Sequence, residues 1–150
     1  MESLRAGIDD LARIVELKQK MFEEAGFGHL LSTDFVDIVF EDYKRLYDRA
    51  EAAHFLIRVE GRIIGMAGGF VKSDIPYRYL RVPRYGFVGD VYTESAHRRK
   101  GYAKQLSLQV LEWFQCHEID TVRLLASDAA RPLYATLGFV PTDEMSLELK

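Results

Sequence analysis

Apolar positions along the chain recur with two periods, and the changes of period mark its elements. After a short strand-like run, Leu4-Arg5-Ala6, residues Leu11, Ile14, Val15, Met21 and Phe22 fall at helical spacing. Asp9 or Asp10 caps that helix, and Gly26 and Gly28 end it near residue 25. Ser32 and Thr33 offer caps for a second helix, in which Phe35, Ile38, Val39, Tyr43, Leu46 and Tyr47 share one stripe and Glu41, Lys44 and Arg45 lie off it. From His54 the period drops to two. Phe55, Ile57 and Val59 alternate with His54, Leu56 and Arg58, and Glu60-Gly61 makes a hairpin turn into a partner strand over 62–71. Gly65, Gly68 and Gly69 inside that partner predict a bulge or a close backbone approach.

Residues 72–84 hold Pro76, Pro83, two tyrosines and four basic residues; they follow neither period and read as an exposed loop. A strand over 85–93 comes next, then an amphipathic helix to about Cys116 with Ala103, Leu106, Val110, Trp113 and Phe114 three and four apart. The chain closes with a strand over 121–126, a short helix over 132–137 and a final strand over 144–149, where Met145, Leu147 and Leu149 alternate. Pro132 suits the first turn of the short helix and Gly138 stops it. The order β-α-α-β-β-β-α-β-α-β, without linker or repeat, predicts one mixed α/β domain over 1–150.

A chain of 150 residues, 48% hydrophobic and 29% charged, has an ordinary globular composition. Its net charge of −3 argues against a general nucleic-acid binder, which makes the basic cluster at 97–104 a local feature. No apolar run approaches the roughly 18–20 residues that span a bilayer, and the N-terminus lacks the layout of a signal peptide. The single cysteine, Cys116, forms no internal disulfide, and a reducing, cytoplasmic compartment follows as the expectation. Cys116 itself reads as a helix-end core thiol. His29, His54, His97 and His117 lack metal-ligand spacing, so no metal site is expected.

Chemistry enters at His97-Arg98-Arg99-Lys100-Gly101-Tyr102-Ala103-Lys104. A strand that turns through a basic, glycine-bearing loop into a helix N-terminus gathers unpaired N–H groups and the positive end of the helix dipole at one point, which makes an anion cradle. A GxxxxGK[ST] nucleotide loop is absent. Arg98-x-x-Gly101-x-Ala103 resembles the acetyl-coenzyme A loop of the GCN5-related N-acetyltransferases (GNAT), and Tyr134-Ala135-Thr136-Leu137-Gly138-Phe139 resembles that family's second signature, a tyrosine preceding Leu-Gly-Phe. The likeness is strong over 87–139 and only topological before that.

The resemblance implies a GNAT-like fold: a central, mixed but mostly antiparallel sheet of six or seven strands, flanked by about four helices and splayed between the fourth and fifth strands. It implies acetyl-coenzyme A as co-substrate, with the diphosphate on the backbone of Arg98, Arg99, Lys100, Gly101, Tyr102, Ala103 and Lys104. The pantetheine arm would lie along Val91, Tyr92 and Thr93 as an added strand, with Gly89 a place where a bulge could start the splay. Ser127 stands where many relatives place a cofactor-contacting asparagine, and His97 where a bulky aromatic is common. Tyr134 would protonate the leaving thiolate, its phenol pKa of about 10 keeping it an acid at neutral pH. Asp90 is the candidate base. Phe22, Phe27 and His29, near the link between the first two helices, are weaker candidates for contact with the acceptor. The expected activity is N-acetylation of a small-molecule amine or a peptide, with no nucleic-acid or membrane partner and with homodimers common among such folds. The alternative is a non-catalytic acyl-coenzyme A sensor or partner-binding module of the same fold.

Overall fold

The computed structural model describes residues 1–76 and 83–150, so part of the loop expected at 72–84 lies outside the described residues. Five strands, β1 (Glu2–Arg5), β2 (Ala52–Val59), β3 (Arg62–Ser73), β4 (Arg84–Thr93) and β5 (Val122–Leu124), form one sheet in the order β1-β2-β3-β4-β5. The first three pairings are antiparallel and β4–β5 is parallel. A parallel neighbour requires a crossover, which the helix α3 (Tyr102–Cys116) supplies. Helices α1 (Leu11–Glu24) and α2 (Phe35–Asp48) cover the other face, and the short α4 (Arg131–Thr136) follows β5.

The hairpin between β2 and β3 turns on Glu60 and Gly61, both at positive φ (49° and 77°), as a two-residue turn matched to strand twist requires. Both faces of the central strands are buried. Ala53, Ile57, Ala67 and Val88 pack against Leu106, Val110, Trp113 and Phe114 of α3, while Leu56, Ile63, Met66 and Tyr92 pack against Leu11, Ile14, Val15, Leu17 and Tyr43 of α1 and α2. Burying each such large apolar side chain contributes about 1.5–3 kcal/mol. Close approach explains the glycines: a Cβ at Gly86 would lie 2.7 Å from the Phe114 ring, and one at Gly69 would lie 2.9 Å from Val110.

Three expectations change. The strand expected over 144–149 does not form: Met145, Leu147 and Leu149 are exposed, because alternating apolar residues make a strand only against a free edge, and none pairs with them among the described residues. The sheet therefore has five strands, in the expected mixed, mostly antiparallel arrangement. On α2 only Tyr43 is fully buried and Ile38 is half exposed, since that helix is laid over one edge of α1 and β2. Cys116 is exposed, on the solvent side of the last turn of α3.

Candidate active site

The site is organised by an irregularity in β4. Met66 pairs with Tyr92 and Gly68 with Gly89, so Asp90 and Val91 together face Ala67. Asp90 has φ 54°, and the strand bulges there. The bulge changes which way the side chains point. Gly86 and Val88 face α3, whereas Asp90 and Tyr92 face α1 and α2. Pairing with β5 ends at Val88–Leu124, and residues 89–93 run on with their β5-side edge unpaired among the described residues. The expected splay between the fourth and fifth strands is this divergence.

Beneath the bulge lies a buried network that sequence reasoning did not find. The Asp90 carboxylate accepts hydrogen bonds from Lys18 Nζ (2.5 Å) and the Tyr43 hydroxyl (2.5 Å), and its Oδ2 lies 2.9 Å from His54 Nε2. His54 is fully buried and its Nδ1 meets the Tyr47 hydroxyl at 2.9 Å. Burial alone would raise the Asp90 pKa, but the His54 hydrogen bond and the Lys18 charge outweigh it and hold the carboxyl well below the usual range. Burial, reinforced by the Asp90 charge, pushes the Tyr43 phenol far up. Asp90 is thus a buried, ionised carboxylate with three donors around it. That setting is unsuited to the proton acceptor expected at this position, which needs a lone pair facing the cleft and a pKa nearer neutrality.

Two further ion clusters tie α1 to the end of β4. Glu94, nearly buried, receives Arg13 (2.9 Å), Lys20 (2.6 Å) and Arg62 (3.1 Å). Burial works against its charge, but the Lys20 hydrogen bond and the three cations keep its pKa lowered. Glu24 accepts the Tyr92 hydroxyl (2.7 Å) and Arg98 Nη2 (2.6 Å), and those two bonds lower its pKa. Burial and the Glu24 contact raise Tyr92 to about 12.

After Thr93 the chain makes a short 3-10 turn (Ser95–His97) and enters the basic loop. Arg98 spends its guanidinium on Glu24 and on the Thr93 carbonyl (Nε at 2.7 Å), pinning the loop to α1 and β4. Arg99 and Gly101 both have positive φ, 64° and 80°, the twists that turn successive amides inward in anion-binding nests. Among the described residues, the N–H groups of residues 99–104 have no protein acceptor. A Cβ at Gly101 would meet nothing within 4 Å, so the backbone there is open to an approaching group. Thr93, His97, Arg99, Tyr102, Ala103, Lys104 and, from α4, Leu133 surround a pocket of about 290 Å³ at this point. Among the described residues, His97 Nδ1 is buried beside it without a hydrogen-bond partner. Unpaired donors, exposed cations at Arg99, Lys100 and Lys104 and the cavity beside them fit a diphosphate-bearing ligand such as coenzyme A.

The remaining candidates are spread around this centre. Tyr134, nearly buried on α4 next to Leu133, packs edge-on against Phe139 with ring centroids 5.9 Å apart, and burial raises its pKa. Among the described residues its hydroxyl has no hydrogen-bond partner. Ser127 is exposed; its hydroxyl and carbonyl accept the Ala130 N–H at the start of α4, and it does not line the loop pocket. Phe22 packs edge-on against Phe35 beneath the Lys18 ammonium, whereas Phe27 and His29 are exposed in and beside a 3-10 turn (Gly28–Leu30). No group of described residues gathers the side chains of a metal site, and no described helix is long and apolar enough to cross a membrane.

Known proteins share this architecture. A predicted acetyltransferase from Clostridium acetobutylicum, solved with acetyl-CoA, superimposes with a TM-score of 0.89 at 21% identity, covering 99% of this chain and 95% of that one. A GCN5-related N-acetyltransferase from Ralstonia eutropha gives 0.85 at 25% identity, covering 99% and 97%. In sequence, the aminoglycoside N(6')-acetyltransferase type 1 of Serratia marcescens is 31% identical over 90 residues, 54% of this chain, and the match spans 62% of that relative's length. The family described as Acetyltransferase (GNAT) matches residues 12–139, which include the bulged strand, the loop and Tyr134, and the chain belongs to that family.

Proposed function

We propose that this protein transfers the acetyl group of acetyl-coenzyme A to a primary amine of a small molecule by direct attack. The observation that carries the reading is the conjunction at the end of β4. Among the described residues, six consecutive amides without acceptors lie beside a strand edge left unpaired past the Asp90 bulge. The amides suit the diphosphate, each charge-assisted bond contributing about 1.5–3 kcal/mol, and the edge suits the amides of the pantetheine arm.

In the transfer, the amine nitrogen bonds to the thioester carbonyl carbon, the C–S bond breaks, the amine loses a proton and the departing sulfur gains one. Tyr134 is the donor of that last proton: its raised pKa keeps it protonated at neutral pH, and its hydroxyl is not committed elsewhere among the described residues. Glu24, Asp90 and Glu94 are all held ionised by hydrogen-bonded partners, which makes each a weak base. The acceptor then loses its proton to water. An alkylammonium of pKa about 10.4 is only about one part in 2,500 neutral at pH 7, a cost of about 4–5 kcal/mol. Asp90 serves by position, holding the bulge.

The test is calorimetry with coenzyme A, followed by thiol release from acetyl-coenzyme A over a panel of amines, polyamines, aminoglycosides and peptide tails. Aminoglycosides come first because the Serratia relative is named for one. Tyr134→Phe should lower kcat by about 10²–10⁴-fold with coenzyme A affinity unchanged, and kcat/KM for an alkylamine should rise about tenfold per pH unit from 7 to 9. Wild-type turnover in Tyr134→Phe removes Tyr134 from the chemistry, and absence of coenzyme A binding removes the whole reading.

A further inference from the structure

His97 ends the 3-10 turn between β4 and the basic loop, and its ring borders the pocket of about 290 Å³ together with Thr93, Arg99, Gly101, Tyr102 and Leu133. Its two nitrogens differ. Nδ1 is buried and, among the described residues, has no hydrogen-bond partner; Nε2 also lacks a partner there but keeps contact with solvent. A neutral imidazole carries its proton on one nitrogen only. A proton on Nδ1 would make a buried donor with no acceptor, which folded proteins rarely contain, while a buried lone pair without a donor is tolerated more readily. The proton therefore belongs on Nε2, the nitrogen left open at the edge of the pocket.

The charged side chains around the same pocket are less prepared for a ligand. Arg98 is committed to Glu24 and to the Thr93 carbonyl. Arg99, Lys100 and Lys104 are exposed, and each must give up rotamer freedom to grip anything. The His97 side chain is short, and its main chain is held by the bond from its own N–H to the Glu94 carbonyl at 2.9 Å. Burial of the Nδ1 edge fixes the direction in which the opposite edge faces. A donor already in position needs little ordering when a ligand arrives.

We propose that His97 is a coenzyme-binding residue, its Nε2–H donating a hydrogen bond to a diphosphate oxygen of coenzyme A beside the amides of residues 99–104. This rests on the coenzyme A reading above and adds to it a side-chain donor of fixed tautomer. Because the ring donates while neutral, His97 recognises an acceptor oxygen without adding to the charge of the loop.

Calorimetry with coenzyme A on the full chain tests this with three substitutions. Glutamine puts its amide N–H close to where Nε2 lies, asparagine puts its amide nearer the place of Nδ1, and phenylalanine keeps a ring that donates nothing. His97→Phe and His97→Asn should each weaken coenzyme A binding about 10–100-fold, and His97→Gln should retain most of the affinity. Far-ultraviolet circular dichroism verifies that each variant folds; if His97→Phe does not, the asparagine and glutamine pair decides alone. In long-range nitrogen–proton NMR spectra, the ring signals lost in His97→Gln should be those of an Nε2–H tautomer. In phosphorus spectra of bound coenzyme A, the diphosphate resonances should move between wild type and His97→Asn while the 3′-phosphate resonance stays. Equal affinity in wild type and His97→Phe overturns the proposal and leaves the coenzyme A reading intact. An Nδ1–H tautomer, a His97→Gln protein as weak as His97→Asn, or a change confined to the 3′-phosphate does the same. A wild type that fails to bind coenzyme A overturns both.

Discussion

The two faces of the sheet are held by different forces. On the α3 face the contacts are apolar and close: glycines at 69 and 86 make room for Val110, Trp113 and Phe114, and nothing ionised lies among them. On the α1 and α2 face the centre is charged, with Lys18, Tyr43 and His54 converging on Asp90 and Tyr47 closing the chain of contacts. Dispersion and burial are non-directional, and their loss scales with the volume removed. A buried carboxylate with three donors is directional, and removing any member strands the others. The apolar face supplies cohesion, and the charged face fixes a shape: it holds Asp90 at φ 54°, where a non-glycine residue is strained by about 1–3 kcal/mol, and so maintains the bulge that frees the edge at 89–93.

That contrast is tested most severely by Asp90→Asn, which leaves the Lys18 ammonium without its counter-charge. It should destabilise the protein by about 3–5 kcal/mol in denaturant titrations and weaken coenzyme A binding. A loss below about 1 kcal/mol would mean that the network is incidental.

The pH dependence separates the faces next. Glu24, Asp90 and Glu94 all have folded pKa values below their ordinary ones. Their contribution is complete above the unfolded carboxylate value of about 4 and is lost as pH falls below it through the lower folded values. Wild-type stability should therefore drop with decreasing pH below about 4, and Asp90→Asn should show a shallower drop. On the other face, Gly86→Ala pushes a methyl group against the Phe114 ring and should cost about 1–3 kcal/mol, equally at pH 4 and pH 7. A pH-dependent cost there would break the distinction. Arg45→Ala, removing an exposed ion pair with Asp42 outside both cores, should change stability by less than about 0.5 kcal/mol.

Much of this was readable from residue order, and the exceptions share a cause. The loop at 98–104 and the preceding strand depend on local chemistry, a glycine at positive φ and a helix start, and those are written in consecutive residues. The buried network joins α1, α2, β2 and β4, and no local rule connects them. One signal was available: Lys18 falls on the helical stripe Leu11, Ile14, Val15, Met21 and Phe22, and a lysine on a buried stripe requires a buried acid. Asp90, inside an otherwise apolar strand, was the obvious partner. Tyr134 stood out only through the resemblance, since its spacing alone marks it as core. The strand expected at 144–149 has the right alternation, but pattern alone cannot say which edge it would join.

The extra residue in β4 also limits how the chain can change length. Because Val88 and Asp90 point to opposite sides, the strand is two half-segments out of phase, one belonging to each core. Deleting a single residue at 89–90 would restore plain alternation, leaving Tyr92 toward Glu24 but removing the bulge that frees the edge at 89–93. Losing both would reverse the downstream half and swing Tyr92 away from Glu24 toward α3, detaching the loop's anchor on α1. Homologous chains that keep this site should therefore differ in length within the first half of β4, or beyond α3, before they differ by one residue at 89–90.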